Sequence, residues 1–98
     1  MDSVFNLNEL GIKDVAYPKR EALRMINCFK EQGIPVLGGD VFLLKGNTPI
    51  LTYDNWYCDK NPQESDQEYV FRSCRKAYEY VSTYNSNDSN KVLFCLVH

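Results

Sequence analysis

The most strand-like part of this sequence is residues 33–58, which read GIPVLGGDVFLLKGNTPILTYDNWYC. They hold most of the β-branched and aliphatic runs of the chain, two turn signals and its only tryptophan. The segments on both sides have the spacing of apolar residues that is typical of amphipathic helices. We therefore predict that residues 33–58 form a sheet and that the flanking helices pack on it.

Glycine and proline divide this region into three predicted strands. Pro35 cannot donate to a strand ladder, so residues 34–37 are predicted as a short strand at an edge or at a strand start. Gly38-Gly39 predicts a bulge or a sharp bend, because glycine reaches backbone angles that other residues avoid. Gly-Asn between apolar runs is typical of a hairpin turn. The remaining predicted elements are a strand at 40–45, the turn at 45–49 and a strand at 50–56.

Two amphipathic helices flank the predicted sheet. The first spans about residues 18–32, because proline suits the first helical turn and a glycine followed by proline ends a helix. The second begins at a capping box that runs from Ser65 to Glu68, in which the serine caps an amide and the glutamate reaches back. It continues to about Tyr84. Its predicted core stripe is Val70, Cys74, Ala77 and Val81.

Residues 91–97, KVLFCLV, are predicted to form a last strand that is covered on both faces. Because this strand follows a long helix, it can lie parallel to an earlier strand through a right-handed crossover. Residues 1–16 fit either a helical turn or an irregular strand. The predicted fold class is α+β, with a small single-layer mixed or antiparallel sheet of about four strands packed against two main helices, in one domain over residues 1–98.

Composition and charge exclude several kinds of partner. The formal charge of −2 and the pI of about 5.3 argue against nucleic acid, which requires a basic surface. The opening MDSVFNLNEL lacks a signal peptide, and no apolar run is long enough for a bilayer, so we predict a cytoplasmic protein without a membrane partner. The four cysteines show no metal-binding spacing and are predicted to be reduced and structural.

We predict no catalytic residues, no cofactor and no metal. The only histidine is His98, at a position that predicts mobility, so the histidine-based catalytic arrangements are absent. Asp40 and Asp54 could form a paired-carboxylate site for Mg²⁺ if the strands bring them together. The favoured interpretation is that Asp40 bonds the glycine-turn amides and that Asp54 is solvated or caps the strand end.

The charge is concentrated between Asp54 and Glu68, where five acids face one base, a local charge of −4. An acidic run beside large aromatic side chains can form a docking surface for a basic partner, although a solvated face is the commoner outcome. Trp56 is equally compatible with this surface and with a core position. The predicted partner-binding residues are Asp40, Asp54, Trp56, Tyr57, Asp59 and Glu64.

Three short motifs resemble the bacterial immunity proteins of the Immunity protein 40 family, from polymorphic toxin systems. They are Leu37-Gly38-Gly39-Asp40-Val41, Tyr53-Asp54-Asn55-Trp56-Tyr57, and Glu68-Tyr69-Val70 with Arg72-Ser73. The resemblance covers about residues 17–97. It implies a small cytosolic non-enzyme that binds and neutralises a cognate toxin domain encoded beside it.

The resemblance names neither the toxin nor its contact residues. Many toxins of this class are nucleases with basic active sites, which an acidic surface could cover by mimicking phosphate. Two alternatives stay open at this point. One is a non-catalytic adaptor that binds another protein through the same surface, and the other is a metal-dependent enzyme that uses Asp40 and Asp54.

Overall fold

The computed structural model describes residues 5–6, 15–85 and 91–98. These residues form one five-stranded sheet in the order β1-β2-β5-β3-β4, and two helices pack against it. All hydrogen-bonded strand pairs are antiparallel, which confirms the predicted α+β class with an antiparallel sheet. The elements are β1 (Phe5–Asn6), β2 (Val15–Pro18), α1 (Lys19–Glu31), β3 (Gly38–Lys45), β4 (Thr48–Tyr57), α2 (Asp66–Thr83) and β5 (Val92–Val97).

Each helix connects two strands that run in the same direction with another strand between them. β5 is antiparallel to both β2 and β3, so α1 connects parallel strands across β5. Likewise, α2 leads from β4 to β5, which run the same way on either side of β3. The last strand is therefore parallel to an earlier one in direction, as predicted, but its hydrogen-bonded neighbours are both antiparallel.

Both predicted helices are confirmed, with ends that follow from local sequence. Pro18 precedes α1, and Gly33 follows it with a φ of +74°, a backbone conformation that suits glycine. Ser65 accepts the Glu68 amide hydrogen at 3.1 Å, while the Glu68 carboxylate accepts the Ser65 amide at 2.8 Å. This is the predicted capping box. The predicted core stripe of α2 is buried throughout: Val70, Cys74, Ala77 and Val81.

The main core lies between the helices and one face of the sheet. β5 supplies Val92, Phe94 and Leu96 to it, because alternate residues of a strand share a face. On the other face, Leu93 and Cys95 belong to a second buried cluster. The prediction of a central strand that is covered on both faces is therefore confirmed.

Two predictions around the glycine pair were wrong. Residues 34–37 form a loop, not a strand, because their polar groups bond to separate parts of the chain. The Val36 amide donates to the Ser73 hydroxyl at 3.2 Å, and the Leu37 amide donates to the Val97 carbonyl at 2.7 Å. The glycine pair forms the first two residues of β3, and the irregular pairing falls further along, between Asp40 and Phe42.

The remaining predictions about the chain concern its N-terminal segment, its cysteines and membranes. Residues 1–4 and 7–14 of the N-terminal segment lie outside the described residues, and the rest contribute β1 and β2. None of the four cysteines, all within the described ranges, forms a disulfide, and all but Cys28 are buried. Of the helices in the described ranges, none combines the length and apolar character that a bilayer crossing requires.

Candidate functional site

Five of the six predicted binding residues lie along β4 and the loop that follows it, and the sixth, Asp40, lies on β3. β4 is an edge strand, so among the described residues one side of its backbone has no neighbouring strand. Its position depends on close packing against β3 at the glycine pair. A Cβ on Gly39 would overlap the ring of Trp56 and lie 2.5 Å from the Cys95 carbonyl oxygen, so only glycine fits.

Trp56 occupies the core beneath this surface. Its side chain is 6% exposed and stacks on the ring of Tyr80, with 4.6 Å between the ring centroids. Of the two positions that the sequence left open for Trp56, the structure thus has the core position. The residue holds β4 against α2 and presents little area to a partner.

An Arg72 clamp fixes the loop after β4 to α2. The guanidinium binds both carboxylate oxygens of Glu64, at 2.6 and 2.8 Å, and donates to the Asp59 carbonyl at 2.6 Å and the Cys58 sulfur at 3.1 Å. Tyr69 adds a hydrogen bond to the Cys58 carbonyl at 2.5 Å. The clamp therefore joins the end of β4, its following loop and the first turns of α2.

The clamp also neutralises part of the acidic run. The hydrogen bonds from Arg72 lower the pKa of Glu64 to about 2, so this carboxylate is ionised and already paired. Asp66 forms an ion pair with Lys60, whose hydrogen bond lowers the Asp66 pKa. Glu64 and Asp66 thus contribute less free negative charge to the surface than the sequence suggests.

A bulge in β4 displays Tyr53 at the sheet edge. Asp40 pairs with Asn55 and Phe42 pairs with Leu51, so residues 52–54 lie opposite one residue of β3. Tyr53 has a φ of +73° and is 81% exposed. The Thr52 hydroxyl donates to the Val41 carbonyl at 2.9 Å and accepts the Asp54 amide at 3.1 Å.

The structure does not bring Asp40 and Asp54 together. Asp54 accepts a hydrogen bond from the Tyr84 hydroxyl at 2.7 Å, on the helix side of the sheet. Asp40 pairs with Cys95, whose side chain belongs to the opposite face. There Asp40 and Tyr57 line a depression of about 190 Å³ over the glycine pair. The carboxylate pair that a shared Mg²⁺ would require is not formed, and the described residues contain no group of three possible metal ligands.

Negative charge that no ion pair between described residues neutralises remains around the β4 edge. Within the described ranges, no lysine or arginine forms an ion pair with Asp40, Asp54 or Asp59. Apart from Lys60 and Arg72, which pair with Asp66 and Glu64, one described cation lies nearby. Lys76 donates to the Tyr57 carbonyl at 2.6 Å, with its ammonium 5.7 Å from the Tyr57 ring centroid. Three acids and one base give a local charge of −2. We define the β4 edge surface as the residues on both faces of this sheet edge, from β4, its following loop and the neighbouring part of β3: Asp40, Tyr53, Asp54, Asn55, Tyr57 and Asp59.

A larger concavity of about 770 Å³ lies in the groove between α1 and α2. Sequence reasoning did not predict it, because a groove depends on how the two helices pack. The sequence offered one indication of this groove, because Phe71 and Tyr78 flank the core stripe of α2. In the structure these two side chains are 51% and 39% exposed. The groove is lined by both basic and acidic residues, so its charge favours neither an acidic nor a basic partner. The charged lining residues are Lys30, Glu68, Arg72, Arg75 and Glu79.

Residues of the three short motifs in the sequence make several of these contacts. Gly39 accommodates the Trp56 ring, Arg72 forms the clamp, and Ser73 receives the Val36 amide. A family model described as Immunity protein 40 matches residues 6–98, nearly the whole chain. No curated protein and no solved structure shows a significant match.

Proposed function

We propose, because the chain belongs to the Immunity protein 40 family, that it binds a cognate bacterial toxin domain and blocks the active or binding surface of that toxin. In this proposal the protein neutralises the toxin by covering that surface, not by catalysing a reaction. The match over residues 6–98 carries this proposal. The uncompensated charge of the β4 edge surface supports it, since matched charge speeds the encounter of two proteins.

The β4 edge surface is the proposed contact area. Asp40, Asp54, Tyr57 and Asp59 contact the toxin directly. Trp56 acts from beneath by fixing β4 on α2, and Glu64 acts through Arg72 by fixing the loop that carries Asp59. The six residues predicted from sequence thus have two roles in the complex, contact and support.

The proposed partner is a toxin domain with a basic surface, such as a nuclease. Acidic side chains that face such a site compete with the phosphates of its substrate. The complex forms in the cytosol, where the toxin of a contact-dependent or other polymorphic system acts on the cell. A basic toxin surface and an acidic immunity surface would associate rapidly at low salt and more slowly as salt increases.

The first experiment is co-expression with the C-terminal domain of the protein encoded immediately upstream. Growth rescue together with co-purification supports neutralisation by binding. Rescue without a stable complex contradicts it and indicates a modifying enzyme or an antagonist of the toxin's target. If neither rescue nor binding occurs, the adaptor function replaces the proposed one.

Charge reversal tests the proposed surface. The double variant Asp54→Lys, Asp59→Lys should lower the association rate with the toxin domain about tenfold or more at low salt, because electrostatic steering is lost. Stopped-flow measurements from 20 to 500 mM salt, a range that spans screening lengths from about 20 to 4 Å, show whether the difference disappears as charges are screened.

The matched control reverses two exposed acids elsewhere, Glu31→Lys and Glu79→Lys. It makes the same change in net charge but leaves the β4 edge surface intact, so its association rate should fall much less. Equal effects of the two double variants would mean that net charge, not this surface, directs the encounter.

A further inference from the structure

Tyr53 has a backbone conformation that tyrosine rarely adopts. It is the only non-glycine residue in the described ranges with a positive φ, +73°. The left-handed region strains an L-residue through its Cβ, and asparagine or glycine tolerate it better. The side chain is 81% exposed, so packing within the protein offsets little of that strain. Folding alone gives no reason for tyrosine at this position.

The bulge around Tyr53 is held in place on both sides. Thr52 connects the bulge to the β3 backbone and to the Asp54 amide, and the Asn55 side chain donates to the Tyr53 carbonyl at 3.2 Å. The Tyr84 hydroxyl fixes the Asp54 carboxylate at 2.7 Å. Tyr53 is therefore displayed on a fixed backbone, which lowers the entropy lost when its ring enters a binding pocket.

The same bulge limits how a partner can use the sheet edge. A regular edge strand can add a strand from another protein through backbone hydrogen bonds. Here the bulge interrupts the ten residues of β4 at 52–54, which leaves only short regular stretches on either side. This edge thus favours contact through side chains over strand addition.

We propose that Tyr53 is the anchor of the toxin interface and that its ring enters a pocket on the toxin that is rimmed by lysine or arginine. This inference rests on the proposed function. Tyrosine is enriched among residues that dominate binding energy. Lysine or arginine side chains around this pocket would form an ion pair with the Asp54 carboxylate, next to Tyr53, and a cation–π contact with the Tyr53 ring.

The test compares the effect of each substitution on stability with its effect on toxin binding, because the two are expected to change independently. Tyr53→Asn and Tyr53→Gly should leave the thermal midpoint unchanged or raise it, because both residues relieve the backbone strain. Either variant should raise the Kd for the purified toxin domain encoded upstream by about 30-fold or more, as expected for an interface anchor. Tyr53→Phe, which keeps the aromatic ring, should raise the Kd much less.

The matched control is Tyr78→Ala, which removes an exposed tyrosine from the groove between the helices. It should change the Kd by less than about threefold. If Tyr53→Asn and Tyr53→Gly bind the toxin like wild type, the inference is overturned and the proposed function stands. If Tyr78→Ala loses binding instead, the anchor lies on the helix groove. If the wild-type protein itself does not bind, the proposed function fails and the inference fails with it.

Discussion

At several positions, contacts with other elements explain why that residue is present. Gly39 lies under the Trp56 ring and beside the Cys95 carbonyl oxygen, so β3 is in contact with both of its neighbours at this point. Ser73 is fully buried, accepts the Val36 amide and donates to the Val70 carbonyl at 3.3 Å. An unpaired buried polar group is costly, so this hydroxyl stabilises the loop before β3.

Substitution of Gly39 by alanine should destabilise the fold by about 1–3 kcal/mol, the usual cost of overpacking. The new Cβ would lie 2.5 Å from a backbone oxygen that cannot move without shifting β5. Urea unfolding monitored by the fluorescence of Trp56 measures the change. Gly46→Asn is the control, because Gly46 has open space and a φ of +62°, which asparagine tolerates. Equal stability of Gly39→Ala and wild type would contradict the close packing.

The sequence could not predict which residue of β4 would have the unusual backbone. A run of β-branched and aromatic residues predicts a regular strand, and nothing in Thr52-Tyr53-Asp54 signals a positive φ. The bulge exists because Asp40 and Phe42 each pair in a fixed register, with the extra residues of β4 left over between them. Pairing register is a property of two strands together, so one strand's sequence does not define it.

Among the elements, the loop after β4 depends on one ion pair. Arg72 holds Glu64 with two hydrogen bonds and connects the same loop to α2 through Asp59 and Cys58. A lysine could not reproduce this set of contacts, because it lacks the planar fork of the guanidinium. The presentation of Asp59 thus follows from a residue on a different element.

This ion pair should make stability depend on pH in the acid range. The folded-state pKa of Glu64 is about 2, below its usual 4.5, so folding favours the ionised carboxylate. Its stabilisation is therefore fully present above about pH 4.5 and is lost as the pH falls towards 2. The difference in unfolding free energy between wild type and Glu64→Gln should be constant near neutral pH and shrink below pH 4.5. Urea titrations at each pH measure it.

The control for this experiment is the same Glu64→Gln substitution in an Arg72→Met background. Without the guanidinium, the pH dependence of the difference should largely disappear. A difference that persists unchanged would assign the acid sensitivity to another carboxylate.

Elements with strong local signals were predicted well, and elements that depend on distant partners were not. The helices followed from apolar spacing and the capping box, and β5 from its continuous apolar run. Residues 34–37 were assigned to a strand because they are apolar, but their amides bond to Ser73 and Val97 on different elements. The acidic run was visible in the sequence, whereas the pairing of Glu64 and Asp66 required the three-dimensional arrangement.

The fold of the whole molecule can be checked through its thiols. Cys28 is exposed, while Cys58, Cys74 and Cys95 are at most 3% exposed. A thiol reagent such as DTNB should therefore label one of the four cysteines rapidly in the native protein. The other three should react at the rate of unfolding and become accessible in denaturant. Cys28→Ser should remove the rapid phase, and any rapidly reacting thiol in that variant would contradict the burial of the other three.

The position of β5 has a consequence for biosynthesis. β5 comes last among the described elements along the chain, yet it lies in the middle of the sheet and is the strand that hydrogen-bonds to both β2 and β3. During synthesis, the β3–β4 hairpin and both helices can leave the ribosome before β5. Until β5 is made, the β1–β2 and β3–β4 pairs keep unpaired apolar edges. The surface on β4 reaches its final support only when the last strand inserts between strands made much earlier, a pairing of distant segments that is intrinsically slow.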